Sequence, residues 1–125
     1  MAKILLIEDD ELNRDMLSRR LRKRGYEVIG AADGEEGLRL AQAEKPALIL
    51  MDVSLPGIDG WEATRRLKAD PATHPIPVLI LTGYATAADR ERAIAVDCSD
   101  FDVKPIDFAR LLSKMESLLG AGARA

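Results

Sequence analysis

The chain has 125 residues, of which 47% are apolar and 31% charged, and its net charge is −3 at pH 7. This length fits one domain with a buried core, and the composition is that of a globular protein rather than a disordered or membrane-embedded one. With 21 acidic residues against 18 basic ones, there is no positive excess to hold a phosphate backbone, so we expect no direct nucleic-acid partner.

Rare residue types limit the kinds of site that the chain can build. Cys98 is the only cysteine and His74 the only histidine, which excludes an internal disulfide and argues against a four-ligand zinc site. Any metal must therefore be held by oxygen ligands. The apolar runs at residues 4–7 and 48–51 are far shorter than the roughly 20 residues of a membrane span. The start of the sequence also lacks a signal-peptide pattern, so we expect no membrane partner and a cytoplasmic location.

Short apolar runs alternate along the chain with longer segments of helical periodicity. This alternation is typical of a parallel sheet with helices on both faces. Runs rich in valine, isoleucine and leucine predict five strands, at residues 3–7, 26–30, 47–51, 78–81 and 101–103. We therefore expect an α/β fold with a doubly wound, five-stranded parallel sheet flanked by five helices.

The first and last helices are predicted from apolar side chains at three- and four-residue steps. In the first helix, the side chains interpreted as one face are Leu12, Met16, Leu17 and Leu21. In the last helix, they are Phe108, Leu111, Leu112, Met115, Leu118 and Leu119. Because glycine commonly follows a helix, we expect these helices to end just before Gly25 and at Gly120.

The three middle helices are predicted from their boundaries. The second and third are expected near residues 35–43 and 60–68, between turn-forming Asp-Gly and proline positions. The segment from Thr86 to Asp89 fits a capping box, in which the N-cap hydroxyl accepts a hydrogen bond from the backbone three residues later. We therefore expect the fourth helix to begin there.

The residues that directly follow the predicted strands are mostly polar. They are Glu8, Asp9 and Asp10 after the first strand, Asp52 after the third, Thr82 after the fourth and Lys104 after the fifth. In a doubly wound sheet, ligands bind beyond these carboxyl ends, near the point where the strand order reverses. Carboxylates gathered there need a countercharge, and an all-oxygen ligand set favours Mg²⁺.

Asp52 is the candidate nucleophile of this group. It follows the most apolar strand, in the middle of the sheet, where its position is fixed. A carboxylate can attack a phosphoryl group and form an aspartyl phosphate, a transfer that needs charge neutralisation and alignment. Lys104 offers a compact positive charge to one phosphate oxygen, and the Thr82 hydroxyl can donate a hydrogen bond to another.

Four motifs occur in order along the chain: the acidic cluster at residues 7–10, the run at 51–60, Leu81-Thr82 and Val103-Lys104-Pro105. Through these motifs the chain resembles the receiver domain of two-component response regulators, over nearly its whole length. The resemblance implies a flavodoxin-like sheet of order 2-1-3-4-5. It also implies a receiver domain at residues 1–119, followed by a flexible tail or linker stub at 120–125.

The resemblance also implies roles for individual residues. Mg²⁺ is expected to bind to Glu8, Asp9, Asp52 and the backbone carbonyl of Ser54, with Asp10 left outside. The expected catalytic residues are Asp52, which is phosphorylated, Thr82 and Lys104. Family members usually join this lysine to the next proline by a cis bond, which is physically credible before Pro105. Thr82 is also the expected switch hydroxyl, and Phe101 the expected aromatic rotamer switch.

The partners follow from the same resemblance. A phosphohistidine on a sensor histidine kinase or a histidine phosphotransfer protein is the expected donor, and a downstream protein target receives the signal. We expect a single-domain response regulator that signals by a phosphorylation-driven change of shape, as a monomer or a weak, phosphorylation-dependent dimer. It is expected to catalyse only its own phosphorylation and dephosphorylation, and so not to be an enzyme for other substrates. Two residues depart from the family pattern, namely Asp97, where glycine is usual, and Asp102, where an apolar strand residue is common.

Three alternatives remain open at this point. The chain could be a docking module of the same fold that is not phosphorylated, although its acids and lysine are intact. It could be a receiver fragment of a larger hybrid kinase or regulator. A haloacid-dehalogenase-like phosphatase also uses an aspartyl phosphate, but it needs a second aspartate two residues after the nucleophile as general acid, where this chain has Ser54.

Overall fold

The computed structural model describes the backbone of residues 2–83 and 86–124, and the side chains of these residues up to Gly120. Five strands, β1 to β5, span Lys3–Ile7, Glu27–Ala31, Leu48–Asp52, Val78–Thr82 and Asp100–Val103. Five helices, α1 to α5, span Glu11–Lys23, Gly34–Glu44, Gly60–Ala69, Ala87–Ala95 and Phe108–Arg124. Within this described part of the chain, no helix is both long and apolar enough to cross a bilayer.

The strands form one parallel sheet in the order β2-β1-β3-β4-β5. This order confirms the expected doubly wound, five-stranded fold with five helices. The strands β3 and β4 are buried along their whole length, because helices cover both faces of the sheet. Successive side chains of β1 enter different cores: Leu5 packs in a cluster with Leu67 of α3, and Leu6 in a cluster with Leu111 of α5.

Each of α1 to α4 begins after a residue whose side-chain oxygen accepts a hydrogen bond from the backbone N–H three residues later. These N-caps are Asp10, Asp33, Asp59 and Thr86, and they satisfy backbone donors that have no partner inside the helix. The Thr86 hydroxyl accepts from the Asp89 N–H at 3.1 Å, which confirms the predicted start of α4. Because each helix follows a strand, these helix N-termini lie at the carboxyl edge of the sheet.

The apolar face predicted for α1 is wrong in its first two turns. Leu17 and Leu21 are buried, but Leu12 is 80% exposed and Met16 58% exposed. At 3.6 residues per turn, Leu12 lies about 180° around the helix from Leu21, so the two cannot share a face. The stripe that packs on the sheet is formed by Leu17, Ser18 and Leu21.

The prediction that the last helix ends at Gly120 is also wrong, since α5 continues to Arg124. Glycine costs a helix only about 1 kcal/mol relative to alanine, which is the best helix former. Alanine alternates with glycine over residues 120–123. The predicted apolar face of α5 is confirmed, since its members are buried or packed against one core: Phe108, Leu111, Leu112, Met115, Leu118 and Leu119. The division into a receiver domain at residues 1–119 and a tail at 120–125 stays a prediction.

The two residues that depart from the family pattern are accommodated locally. Asp97 has a φ of 58°, in the left-handed region that favours glycine but that aspartate tolerates better than most residues. The Asp102 carboxylate is buried, and its Oδ1 lies 2.7 Å from Arg110 Nε and 3.8 Å from Lys114 Nζ. These two cations of α5 compensate a charge that would otherwise be costly to bury. Asp102 Oδ2 has no hydrogen-bond partner among the described residues.

Candidate functional site

Carboxylates from the ends of two paired strands form the centre of the site. Glu8 and Asp9 follow β1, and Asp52 is the last residue of β3, which pairs with β1. One carboxylate oxygen from each of the three residues lies within 4.8 Å of the others. Asp52 is 2% exposed and Glu8 6%, whereas Asp9 is exposed. The carboxylate group therefore has two shielded members and one that borders solvent.

Lys104 supplies the positive charge of the site. It follows β5, and its Nζ lies 2.9 Å from Asp52 Oδ1 and 3.5 Å from Glu8 Oε2. Burial disfavours the Lys104 ammonium, but the hydrogen bonds and charge of these two carboxylates outweigh it and raise the pKa of Lys104. Lys104 therefore remains a cation. The Lys104–Pro105 peptide bond is cis, as the resemblance implies.

One ammonium does not neutralise three carboxylates. Burial, followed by the neighbouring Asp52 carboxylate, raises the pKa of Glu8 from 4.5 to about 7, although Lys104 and Asn13 act in the opposite direction. Near neutral pH, Glu8 therefore holds a proton for part of the time when no metal ion is bound. A divalent cation would replace that proton.

The donor set fits Mg²⁺. This ion prefers oxygen ligands and is usually bound by one or two carboxylates together with water and phosphate oxygens. Glu8, Asp9 and Asp52 offer carboxylate oxygens within 4.8 Å of one another. The pKa of Glu8 is raised first by burial and then by the Asp52 carboxylate, even with Lys104 beside both residues. The residues present are therefore suited to hold the ion.

Two neighbouring polar residues play different parts. Ser54 lies in the loop after β3, where its backbone N–H donates to Asp52 Oδ1 at 3.3 Å. The metal contact expected of its carbonyl stays a prediction. Asp10 caps α1, and its Oδ1 accepts from the Asn13 N–H at 3.1 Å. Asp10 is thus engaged in the helix cap and lies outside the group of three carboxylates.

Two contacts of Glu8 were not predicted from the sequence. Asn13 Nδ2 donates to Glu8 Oε1 at 3.5 Å, and the Arg14 guanidinium donates to the Glu8 backbone carbonyl at 2.7 Å. Both donors lie in the first turn of α1, which begins at the same edge of the sheet as the site. Helical periodicity gives no signal for either contact, because it does not determine where a side chain in the first turn of a helix points.

Gly60, the first residue of α3, lies directly against the backbone of Asp52. A Cβ placed on Gly60 would come within 2.8 Å of Val53 Cα and even closer to the Asp52 carbonyl oxygen. Only glycine allows so close an approach. The start of α3 therefore fixes the backbone that carries the Asp52 side chain.

The two expected switch residues lie on neighbouring strands. Thr82 ends β4 and is 2% exposed, and its hydroxyl donates to Asp89 Oδ2 at 3.2 Å. Phe101 lies in β5 opposite Ile80 of β4, is partly buried, and packs against the core cluster that includes α3 side chains. The Phe101 carbonyl accepts from Lys114 Nζ at 2.6 Å. The switch roles of both residues stay predictions.

Comparison with known proteins adds to this geometry. A family model of the response regulator receiver domain matches residues 4–116. The response regulator PleD of Caulobacter vibrioides is 40% identical over 117 residues, which cover 94% of this chain but 26% of PleD. Protein PilH of Pseudomonas aeruginosa is 36% identical over 119 residues, which cover 95% of this chain and 98% of PilH. The chain thus spans about a quarter of the first relative and nearly all of the second.

A solved structure matches in fold as well. The receiver domain of the sensor histidine kinase PA1611 from Pseudomonas aeruginosa PAO1, which has a magnesium ion coordinated in its active site cleft, superposes with a TM-score of 0.88. Its sequence is 34% identical, and the match covers 95% of this chain and 98% of that domain. These matches agree with the order of the strands and with the acidic residues at the strand ends. The chain belongs to the response regulator receiver domain family.

Proposed function

We propose that the chain is a response regulator that accepts a phosphoryl group on Asp52 with the help of Mg²⁺ and signals through the resulting change of shape. One observation carries the proposal. The Asp52 carboxylate is buried at the end of β3, in a group of three carboxylates that could hold a cation. Its Oδ1 lies 2.9 Å from Lys104 Nζ. A nucleophile for phosphoryl transfer needs these surroundings, because the transferred group must be aligned and its charge neutralised.

The transfer exchanges one bond to phosphorus for another. A carboxylate oxygen of Asp52 bonds to the phosphorus while the phosphorus–nitrogen bond of a phosphohistidine breaks, and the donor imidazole keeps the electron pair and takes up a proton from solvent. Lys104 offers its ammonium to the phosphoryl oxygens, and the Ser54 N–H helps to orient the Asp52 carboxylate. Glu8, Asp9 and Asp52 would hold Mg²⁺, which would supply positive charge to the phosphoryl oxygens.

The signal would arise from the groups that the phosphoryl group attracts. Lys104 and Thr82 would turn toward its oxygens, and Phe101 would rotate into the space that Thr82 leaves. A change from 1:99 to 99:1 in the two shapes needs about 5.5 kcal/mol. Because this is a large demand on one site, binding of the downstream protein would supply part of it.

The chain would act on itself rather than on other substrates. A phosphatase that forms an aspartyl phosphate needs a general acid two residues after the nucleophile, and Ser54 stands there. Steady multiple turnover of a phosphate monoester would contradict this part of the proposal. A docking module that is not phosphorylated would not require Lys104 to pair with both Asp52 and Glu8.

The donor protein would approach beside α1. A cavity of about 400 Å³ opens next to the carboxylates and is lined by Glu8 and Lys104 at the site and by Met16, Arg20 and Ile106 beyond it. Its apolar side chains, with the cationic Arg20 among them, suit the apolar face of a helix that presents a phosphohistidine to the site. We place the sensor histidine kinase or phosphotransfer protein on this side of the domain. The exposed Met16 would be covered there.

Phosphoramidate tests the chemistry without a partner protein, because it has the same phosphorus–nitrogen bond as phosphohistidine. With Mg²⁺, we expect one acyl phosphate per chain, seen as a new ³¹P resonance that disappears when the metal is chelated. Asp9→Asn should raise the Mg²⁺ concentration that the reaction needs. Asp10→Asn should leave that concentration unchanged, because Asp10 caps α1 and asparagine caps equally well. A chain that forms no acyl phosphate and also fails to bind Mg²⁺ at millimolar concentrations would favour the docking module.

A further inference from the structure

The contact between Thr82 and Asp89 joins the end of β4 to the start of α4. The Thr82 hydroxyl is buried and donates to Asp89 Oδ2 at 3.2 Å. Asp89 lies in the first turn of α4 and is partly buried. Its own N–H donates to Thr86 Oγ1 at 3.1 Å, so the helix cap fixes its backbone. The Asp89 carboxylate is therefore held at a defined place beside Thr82.

The hydrogen bond to Asp89 uses the hydroxyl proton that Thr82 would donate to a phosphoryl oxygen in the active state. A hydroxyl has one proton to donate, and while Thr82 donates it to Asp89, it cannot donate it to a phosphoryl oxygen. Asp52 pairs with Leu81 in the sheet, so Thr82 is the next residue along β4 from the partner of Asp52. A phosphoryl group on Asp52 and the Asp89 carboxylate would both be strong acceptors for that proton.

We infer that Asp89 is a positioning residue that holds the Thr82 hydroxyl in its resting orientation and so opposes the active state. The inference rests on the proposed function, since the competing acceptor is a phosphoryl group on Asp52. When Thr82 turns to that group, the Asp89 carboxylate loses its link to β4. Phosphorylation of Asp52 would thereby change the contacts of α4 directly, through Asp89 in its first turn.

The first test compares three variants by their affinity for beryllofluoride, an analogue of the phosphoryl group, in the presence of Mg²⁺. Asp89→Ala should raise the affinity about ten-fold, because a hydrogen bond to a charged acceptor no longer opposes binding. Asp89→Asn keeps an acceptor oxygen without the charge, and its gain should be smaller. Glu91→Ala removes the same charge from an exposed position on the same helix and should leave the affinity unchanged.

A double-mutant cycle separates positioning through Thr82 from a general effect of charge. Thr82→Val removes the hydroxyl and keeps the shape of the side chain. In that background, Asp89→Ala should leave the affinity for beryllofluoride unchanged. A ten-fold gain that persists without the hydroxyl would overturn the inference, because Asp89 would then act on the site through its charge alone.

The resting protein gives an independent readout. Scalar couplings of the Thr82 side chain report its χ1 rotamer in the metal-free, unmodified chain. We expect the same χ1 population in the native chain and in Glu91→Ala, and a shifted population in Asp89→Ala. Unchanged couplings in Asp89→Ala would overturn the inference whether or not the chain binds beryllofluoride. A native chain that fails to bind beryllofluoride with Mg²⁺ would instead refute the proposed function, and with it the role of Asp89 in opposing the active state.

Discussion

Lys104 donates to Asp52 Oδ1 at 2.9 Å, a contact between residues 52 positions apart in the sequence. The same ammonium lies 3.5 Å from Glu8 Oε2. A divalent cation would be attracted by these carboxylates too, so Lys104 and Mg²⁺ compete for the same negative charge. In the resting site, the Lys104 ammonium is paired with Asp52 and Glu8, and under the proposed function this ion pair would have to loosen for metal and phosphate to bind.

Replacing Lys104 with methionine should tighten Mg²⁺ binding to the resting chain. The variant keeps most of the side-chain volume but removes the charge beside Asp52 and Glu8. We expect the dissociation constant, measured by calorimetry at fixed ionic strength, to fall about ten-fold. Lys114→Met removes a lysine that pairs with Asp100 and should not change it. Weaker binding in Lys104→Met would contradict this competition.

The stability of the metal-free chain should depend on pH through Glu8. The folded-state pKa of Glu8 is raised from 4.5 to about 7 by burial and then by Asp52. The stabilising contribution of protonated Glu8 is fully present below the unfolded-state pKa and is lost as pH rises through about 7. We expect the urea midpoint, with a chelator present, to fall more between about pH 5 and pH 8 in the native chain than in Glu8→Gln.

Magnesium should change that pH dependence. A bound divalent cation favours the ionised form of Glu8, so the difference between the native chain and Glu8→Gln should shrink when Mg²⁺ replaces the chelator. Magnesium affinity should likewise rise with pH up to and beyond about 7 in the native chain. Identical pH profiles for the native chain and Glu8→Gln would show that Glu8 has no raised pKa.

Gly60→Ala should damage both stability and the site. The new Cβ would press on the backbone at Asp52 and Val53, and such overpacking costs about 2 to 3 kcal/mol. Gly120→Ala is the matched control, because a Cβ there meets nothing within 4 Å, and alanine favours the helix by up to about 1 kcal/mol. Denaturant unfolding of both variants checks the prediction, and equal stability of the two would contradict it.

The fold was predictable because it depends on patterns that the sequence repeats. All five strands were placed within about one residue of their observed bounds, since buried strands are continuous apolar runs. Spacings of three and four residues do not predict the first turns of α1 correctly, because the rotation that accumulates between Leu12 and Leu21 puts them on opposite sides of the helix. Gly120 does not predict the end of α5, because one glycine costs a helix only about 1 kcal/mol relative to alanine, which follows it here.

The candidate site was predictable for the residues that follow strands directly. Glu8, Asp52 and Lys104 lie together because parallel strands end at one edge of the sheet. The contacts of Asn13 with Glu8 and of Asp89 with Thr82 were not predictable in the same way. They depend on the direction of side chains in the first turns of helices, which periodicity does not determine.

The burial of Asp102 gives a further prediction about stability. Arg110→Met should cost about 2 kcal/mol, because among the described residues it leaves the buried Asp102 carboxylate with Lys114, at 3.8 Å, as its one cationic partner. Adding Asp102→Val should recover most of this loss, since an apolar residue can replace a buried ion pair at little cost. Thermal unfolding of the single and double variants checks this. A double variant less stable than the single one would contradict it.

Phosphorylation of Asp52 is tested most directly by the intact mass of the chain after incubation with acetyl phosphate and Mg²⁺. We predict a gain of one phosphoryl group in the native chain and in Asp10→Asn, and no gain in Asp52→Ala or when the metal is chelated. A native chain that gains no phosphoryl group, or an Asp52→Ala variant that gains one equally well, would contradict the claim.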